Sequence, residues 1–448
     1  MKRKIEKAAV LGAGVMGAQI AALLATRGIE VILLDVLAQE PTDEERSAGL
    51  TLPDAEVRNR IARAGLQSLG KMGPMVSFGS IPEDSISFGN FEDDLAKIAD
   101  CDWIVEAIVE DLTVKRGLLK RVDQYRKPGA VASSNTSGLS LAAIAAHLSE
   151  DFRQHWLGTH FFNPVRFVKL VEVVPTQDTL PEVTQSMLDL FTINLGKGAI
   201  IARDTPNFIA NRIGVFNALQ TIKAMMRWGL TVEEVDELTG TIMGRPRTAT
   251  FRTMDLVGVD TILPVARNVY ENAPGDEMRD LFIIPGFIQK MIENRWLGDK
   301  TGQGFFKRVE GEGKRGQAWA LDYKTMCYRP RQKPDLPVLE EAMKIEDIRE
   351  RIRFLAYAED RAGAFVWETL SALLIYSANR VPEIADRIVA IDNAMKWGYN
   401  WQLGPFETWD ALGVQRAVAR LKAEGREVPA IVRRLLDSGN DSFYRREG

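Results

Sequence analysis

The chain has 448 residues, 46% of them hydrophobic and 26% charged, with a net charge of −4. That length exceeds one ordinary core and predicts two or three domains, while the near balance of charge excludes a basic field suited to nucleic acid or an anionic membrane. Two cysteines, Cys101 and Cys327, are too few for a disulfide framework or a metal cluster and fit a reducing compartment. The basic start, MKRKIEKAAVLGAG, runs into a glycine turn instead of a cleavage site, and no uncharged run is long enough to span a bilayer, so a cytoplasmic chain is expected.

Ile5 to Leu11 reads as a short strand running into Gly12, Ala13, Gly14, Val15, Met16 and Gly17. AQIAALLATRG follows at helical period and closes at Gly28, and EVILLD then reads as a second strand ending in Asp35. In such a unit the first glycine permits a tight turn, the second lets backbone approach a pyrophosphate, and the third lets helix pack on strand. Asp35 stands where a carboxylate accepts ribose hydroxyls and repels a 2′-phosphate, which favours NAD over NADP. From Leu37 to Asn90 the pattern loosens into a charged, helix-compatible region. Lys71 and its neighbouring arginines read better there as a solvated face than as an anion contact. Cys101 to Val109 is again strand-like and leads to Glu110 and Lys115, and VASSNTSGLS reads as strand, polar loop and helix start. Ser133, Ser134, Asn135, Thr136 and Ser137 are either a cluster of short donors and acceptors for a ligand or simple helix capping.

Thr159 to Val174, THFFNPVRFVKLVEVV, holds His160, one of three histidines in the chain, and Glu172, a single acid in an apolar series. A carboxylate that orients an imidazole makes it a general base or acid. A satisfied core histidine is the competing reading, and the local sequence leaves both open.

GAGVMG, VEAIVEDLTVK, SSNTSGLS, HFFNPVRFVKLVEVV, DTPNFIANR and KTGQGFF, in this order from Lys4 to about Lys307, resemble the L-3-hydroxyacyl-CoA dehydrogenase family of fatty-acid β-oxidation. The resemblance implies an acyl-CoA substrate, NAD as cofactor, His160 as catalytic base and Glu172 as its acidic partner, with Ser137 and Asn211 bonding near the reacting oxygen. It places Glu110, Lys115, Asn163 and Lys300 with Gly12, Gly14, Gly17 and Asp35 around the cofactor. Two of these have plain structural alternatives: Asn163 could set a turn before Pro164, and Lys300 could be a surface lysine.

The expected architecture is an α/β Rossmann-type dinucleotide-binding domain over 1–204 followed by an all-α domain in two tandem repeats. The first helical domain, completing the active site, is expected over 205–308, a linker over 309–345 and the second repeat over 346–448. The repeat pairs Asp236 with Asp392, Asp255 with Asp410 and Gly258 with Gly413. FxxNR survives only in the first copy, at Phe208 to Arg212, and GPFE only in the second, at Gly404 to Glu407. The second copy is therefore expected as a packing partner that could take the place of a homodimer mate, with a homodimer as the alternative. The final stretch, LLDSGNDSFYRREG, is expected as a junction to an enoyl-CoA hydratase domain beyond residue 448. Two other functions are weighed: a non-catalytic structural protein on the same scaffold, and a dehydrogenase of free hydroxy acids.

Overall fold

Short runs of apolar residues bounded by glycine and polar turns make the sheet of the first unit. In the computed structural model, which describes residues 4–70, 78, 81, 84–309 and 317–445, the chain divides into two compact units, Met1–Phe208 and Ile209–Gly448. Lys71 lies outside the described residues. The sheet strands are β1 (Lys7–Leu11), β2 (Glu30–Asp35), β3 (Ile86–Asn90), β4 (Trp103–Glu106), β5 (Val131–Ser134), β6 (Trp156–Phe161), β7 (Leu170–Pro175) and β8 (Gly198–Ile201). Their spatial order is 3-2-1-4-5-6-7-8. Every neighbouring pair is parallel except β6 with β7. β4, β5 and β6 are buried along their whole length, as strands covered on both faces must be. The strand order reverses between β1 and β4, the point at which open α/β sheets leave a crevice for ligands.

β3 was not anticipated, because it closes a region whose composition reads as helical. Its sequence ISFGN has no strong strand period, and pairing with β2 at the sheet edge decides its conformation. The same region does hold the helix Arg60–Leu69. A Cβ on its Gly65 would collide with the Ala13 carbonyl, so glycine there lets the helix lie against the glycine turn.

The second unit is mainly helical. Its long helix Ala210–Trp228 packs on Arg361–Asn379, with the Phe216 ring stacked on Tyr376 at 3.8 Å. Arg212 is fully buried and donates to Tyr376 Oη (2.5 Å), Asp276 (2.6 Å) and Glu383 (3.1 Å). Within the stretch 309–345, expected to be a linker, the described residues 317–345 carry regular structure. β9 (Phe306–Val309), β10 (Gln317–Asp322) and β11 (Cys327–Pro330) form an antiparallel sheet, and the helix Pro337–Met343 follows. These strands are short and, apart from Ala320 and Leu321, exposed or only half-buried, so their composition resembles that of a linker. Arg329 anchors them by pairing at 2.6 Å with the buried Glu233.

Candidate active site

The glycine turn after β1 shows what each glycine does. Gly12 has φ +102°, and a Cβ there would meet the Ala107 backbone. A Cβ on Gly17 would collide with the Gly12 carbonyl, whereas one on Gly14 would meet nothing within 4 Å. Gly14 is also the N-cap of the helix Val15–Ala25 and supplies no side-chain cap to its first turn. An uncapped helix start beside open space, with no side chain in the way, suits a pyrophosphate. Asp35 at the end of β2 accepts from Ala13 N (2.5 Å) and Val36 N (2.6 Å), which fixes its carboxylate against the turn. Each oxygen keeps acceptor capacity for a ribose hydroxyl. The two glycines should therefore respond differently to alanine. Gly17→Ala should lower the melting temperature and abolish NADH binding, while Gly14→Ala should melt like wild type yet bind NADH more weakly; calorimetry and fluorescence titration check both.

At the end of β4 a chain of polar contacts runs from the buried Glu106 and Lys115 out to the exposed Glu110 and Ser137. Glu106, fully buried, accepts from Lys115 Nζ (2.7 Å), Ile108 N (2.7 Å) and Ser134 Oγ (2.5 Å). Lys115, 1% exposed, also lies 3.3 Å from Glu110. Glu110 in turn accepts from Thr136 Oγ1 (2.6 Å) and from Ser137 N (3.0 Å). Glu110, Lys115 and Ser137 are thus brought together. Glu106, which holds Lys115, is missed by the sequence reading because one acid at a strand end carries no local pattern.

His160 and Glu172 stand opposite each other in the β6–β7 register, which is the antiparallel pair of the sheet. Directly opposed residues bring their side chains together, and His160 Nδ1 lies 2.7 Å from Glu172 Oε2. His160 is 4% and Glu172 0% exposed. A carboxylate only accepts, so Nδ1 carries the hydrogen, and in the neutral imidazole the lone pair is then on Nε2. Phe162 and Phe208 flank the imidazole at 4.4 and 5.6 Å between ring centroids. Asn135 Oδ1 accepts from Phe161 N at 2.8 Å and ties the polar loop after β5 to the histidine strand.

Beyond β6, the exposed Asn163 accepts through Oδ1 from the buried Gln19 (3.0 Å), and its peptide with Pro164 is cis. Lys197, also buried, donates to the carbonyls of Val165 and Val168. Burial, with a smaller contribution from the like charge of Arg27, pushes the Lys197 amine down to about 8 from its ordinary 10.5. Between those values the unfolded chain binds more protons, so this group makes stability rise with pH and withdraws that contribution as pH falls through about 8. The change, on the order of 3 kcal/mol across the window, should vanish in Lys197→Met when the two proteins are unfolded in urea at several pH values.

Asn211 and Lys300 belong to the second unit. Asn211 sits half-buried in the first turn of Ala210–Trp228, and Lys300 is exposed and paired with Asp260 at 2.5 Å. Among the described residues no group of histidines, cysteines and acids is arranged to hold a metal ion, and no helix is long and apolar enough to cross a membrane.

These features define a nucleotide-binding α/β unit carrying a buried histidine–carboxylate pair. Residues 7–205 match the model of the 3-hydroxyacyl-CoA dehydrogenase NAD-binding domain, and 208–308 match that of the 3-hydroxyacyl-CoA dehydrogenase C-terminal domain. A probable 3-hydroxyacyl-CoA dehydrogenase of Bacillus subtilis is 46% identical over 100% of this chain and 56% of its own length. Another, from Deinococcus radiodurans, is 43% identical over 69% of this chain and 84% of its own length. The crystal structure of an Escherichia coli 3-hydroxybutyryl-CoA dehydrogenase shares the fold, with a TM-score of 0.68 and 22% identity over 97% of this chain and 99% of that one. The chain belongs to the 3-hydroxyacyl-CoA dehydrogenase family, its first unit contains that family's NAD-binding domain, and it spans about half the length of the Bacillus relative.

Proposed function

We propose that this chain catalyses the reversible oxidation of an L-3-hydroxyacyl-CoA to the 3-ketoacyl-CoA in fatty-acid β-oxidation. The observation that carries this reading is the 2.7 Å contact between His160 Nδ1 and the buried Glu172. NAD, when bound, accepts the hydride from C3 of the substrate. His160 Nε2 takes the proton of the 3-hydroxyl, and Glu172 stabilises the imidazolium that results. In the reverse direction the same nitrogen returns the proton to the carbonyl oxygen. Ser137 is held by Glu110 through its backbone, which leaves its hydroxyl to the substrate oxygen.

The experiment follows NADH absorbance with acetoacetyl-CoA and with free acetoacetate. Turnover of the thioester alone supports the reading. Turnover of the free acid at a comparable kcat/KM would assign the chain to free hydroxy acids, and inertness toward both would make it a non-catalytic relative.

We also infer that 205–308 and 346–448 are copies of one helical unit. Asp236 accepts from the N–H groups of Thr250, Phe251 and Arg252 at the start of the helix Phe251–Val257, and Asp392 accepts from those of Phe406 and Glu407 at the start of Pro405–Leu412. Asp255 on the first of these helices accepts from the backbone of Phe305 and Phe306, and Asp410 on the second from that of Phe443 and Tyr444. Phe443 and Tyr444, in the stretch expected to be a junction, thereby take the place in the second copy that KTGQGFF has in the first. The second copy serves packing; a dimer held through 205–308 in light scattering would contradict that role.

A further inference from the structure

Gln19 is a fully buried amide on the otherwise apolar helix Val15–Ala25, and the reaction as described gives it no task. Its hydrogen bonds can be oriented by logic alone. Val165 N–H can only donate, and it lies 2.9 Å from one end of the Gln19 amide, so that end is the carbonyl Oε1. The other end is then Nε2, which donates to the Val15 carbonyl (3.0 Å), an atom that can only accept. What remains of Nε2 donates to Asn163 at 3.0 Å, so Asn163 must turn its Oδ1 inward. Lys197 holds the carbonyl of the same Val165, so the residue that orients Gln19 is tied down through both of its backbone polar groups.

We propose that Gln19 is a positioning residue that commits the exposed Asn163 to offer an N–H donor, and never a carbonyl acceptor, to an acceptor atom of the bound dinucleotide. This rests on the reading of Asn163 as a cofactor contact. Either end of an isolated asparagine amide could face a ligand, and the buried partner removes that freedom before NAD arrives.

NADH dissociation constants from fluorescence titration test this in wild type, Gln19→Met, Asn163→Ala and the double variant, with melting temperature as a check on folding. Each single substitution should weaken NADH by about tenfold, the scale of one hydrogen bond, and the double variant should bind no worse than Asn163→Ala. Gln19→Glu keeps the acceptor for Val165 N–H but forces Asn163 to donate inward, so it should bind NADH as weakly as Asn163→Ala even if the methionine variant fails to fold. Wild-type affinity in both Gln19 variants, with Asn163→Ala impaired, would overturn the positioning role and leave the Asn163 contact standing. Losses that add in the double variant would make Gln19 structural only. Wild-type affinity in Asn163→Ala would remove the contact itself, and the proposal with it.

Discussion

Replacing His160 with glutamine should lower kcat for acetoacetyl-CoA reduction by about 100- to 10,000-fold, the range set by loss of a general acid–base group. The NADH dissociation constant should stay close to wild type. The separation follows from the site: His160 is reached by Glu172 and flanked by Phe162 and Phe208, while the residues expected to hold the cofactor include the glycine turn and the neighbouring Glu110 and Lys115. Glutamine keeps a polar side chain of similar length but has no titratable nitrogen, so proton transfer is lost and packing is nearly kept. Steady-state kinetics and a binding titration on the same preparation check the two halves. A loss of only a few-fold in kcat would return His160 to the reading of a satisfied core histidine.

The second large effect concerns stability. Lys115 and Glu106 are both buried, and removing one partner of such a pair strands the other charge in a medium that cannot solvate it. Lys115→Met should therefore destabilise the first unit by about 3–5 kcal/mol in urea unfolding. Glu106→Gln in the same chain should restore much of that, because a neutral amide still accepts from Ile108 N while no uncompensated charge remains. Because Lys115 also meets Glu110, the single variant should lose NADH affinity as well. A Lys115→Met protein as stable as wild type would show that the pair contributes little.

Features with a local cause could be read from the chain. The turn at Gly12, Gly14 and Gly17 is dictated by backbone sterics within a few residues, and Asp35 follows from the strand after the helix. His160 and Glu172 are twelve positions apart, and each looked out of place among apolar neighbours, but only the antiparallel register of β6 and β7 makes them partners. Gln19, Glu106 and Lys197 are single polar residues whose meaning comes from chain more than eight residues away or on another element, so no window of sequence contains it. In retrospect the signal for Gln19 was its place in AQIAALLA, a polar residue in a helix apolar all round. β3, β10 and β11 escaped notice for a related reason. Edge and half-solvated strands take their conformation from the strand they pair with, and their composition resembles loop. The proposed helical repeat rests on Asp236 and Asp392, since each of these acids accepts from the backbone N–H groups at the start of a following helix.

The measurement that bears most directly on the central claim is kcat for wild type, His160→Gln, Glu172→Gln and the double variant with acetoacetyl-CoA. If the two residues act as one proton-transferring unit, the double variant is no slower than His160→Gln alone, since a carboxylate with no imidazole to orient contributes nothing further. Losses that multiply would mean that Glu172 acts independently of His160, and the account of the pair would be wrong.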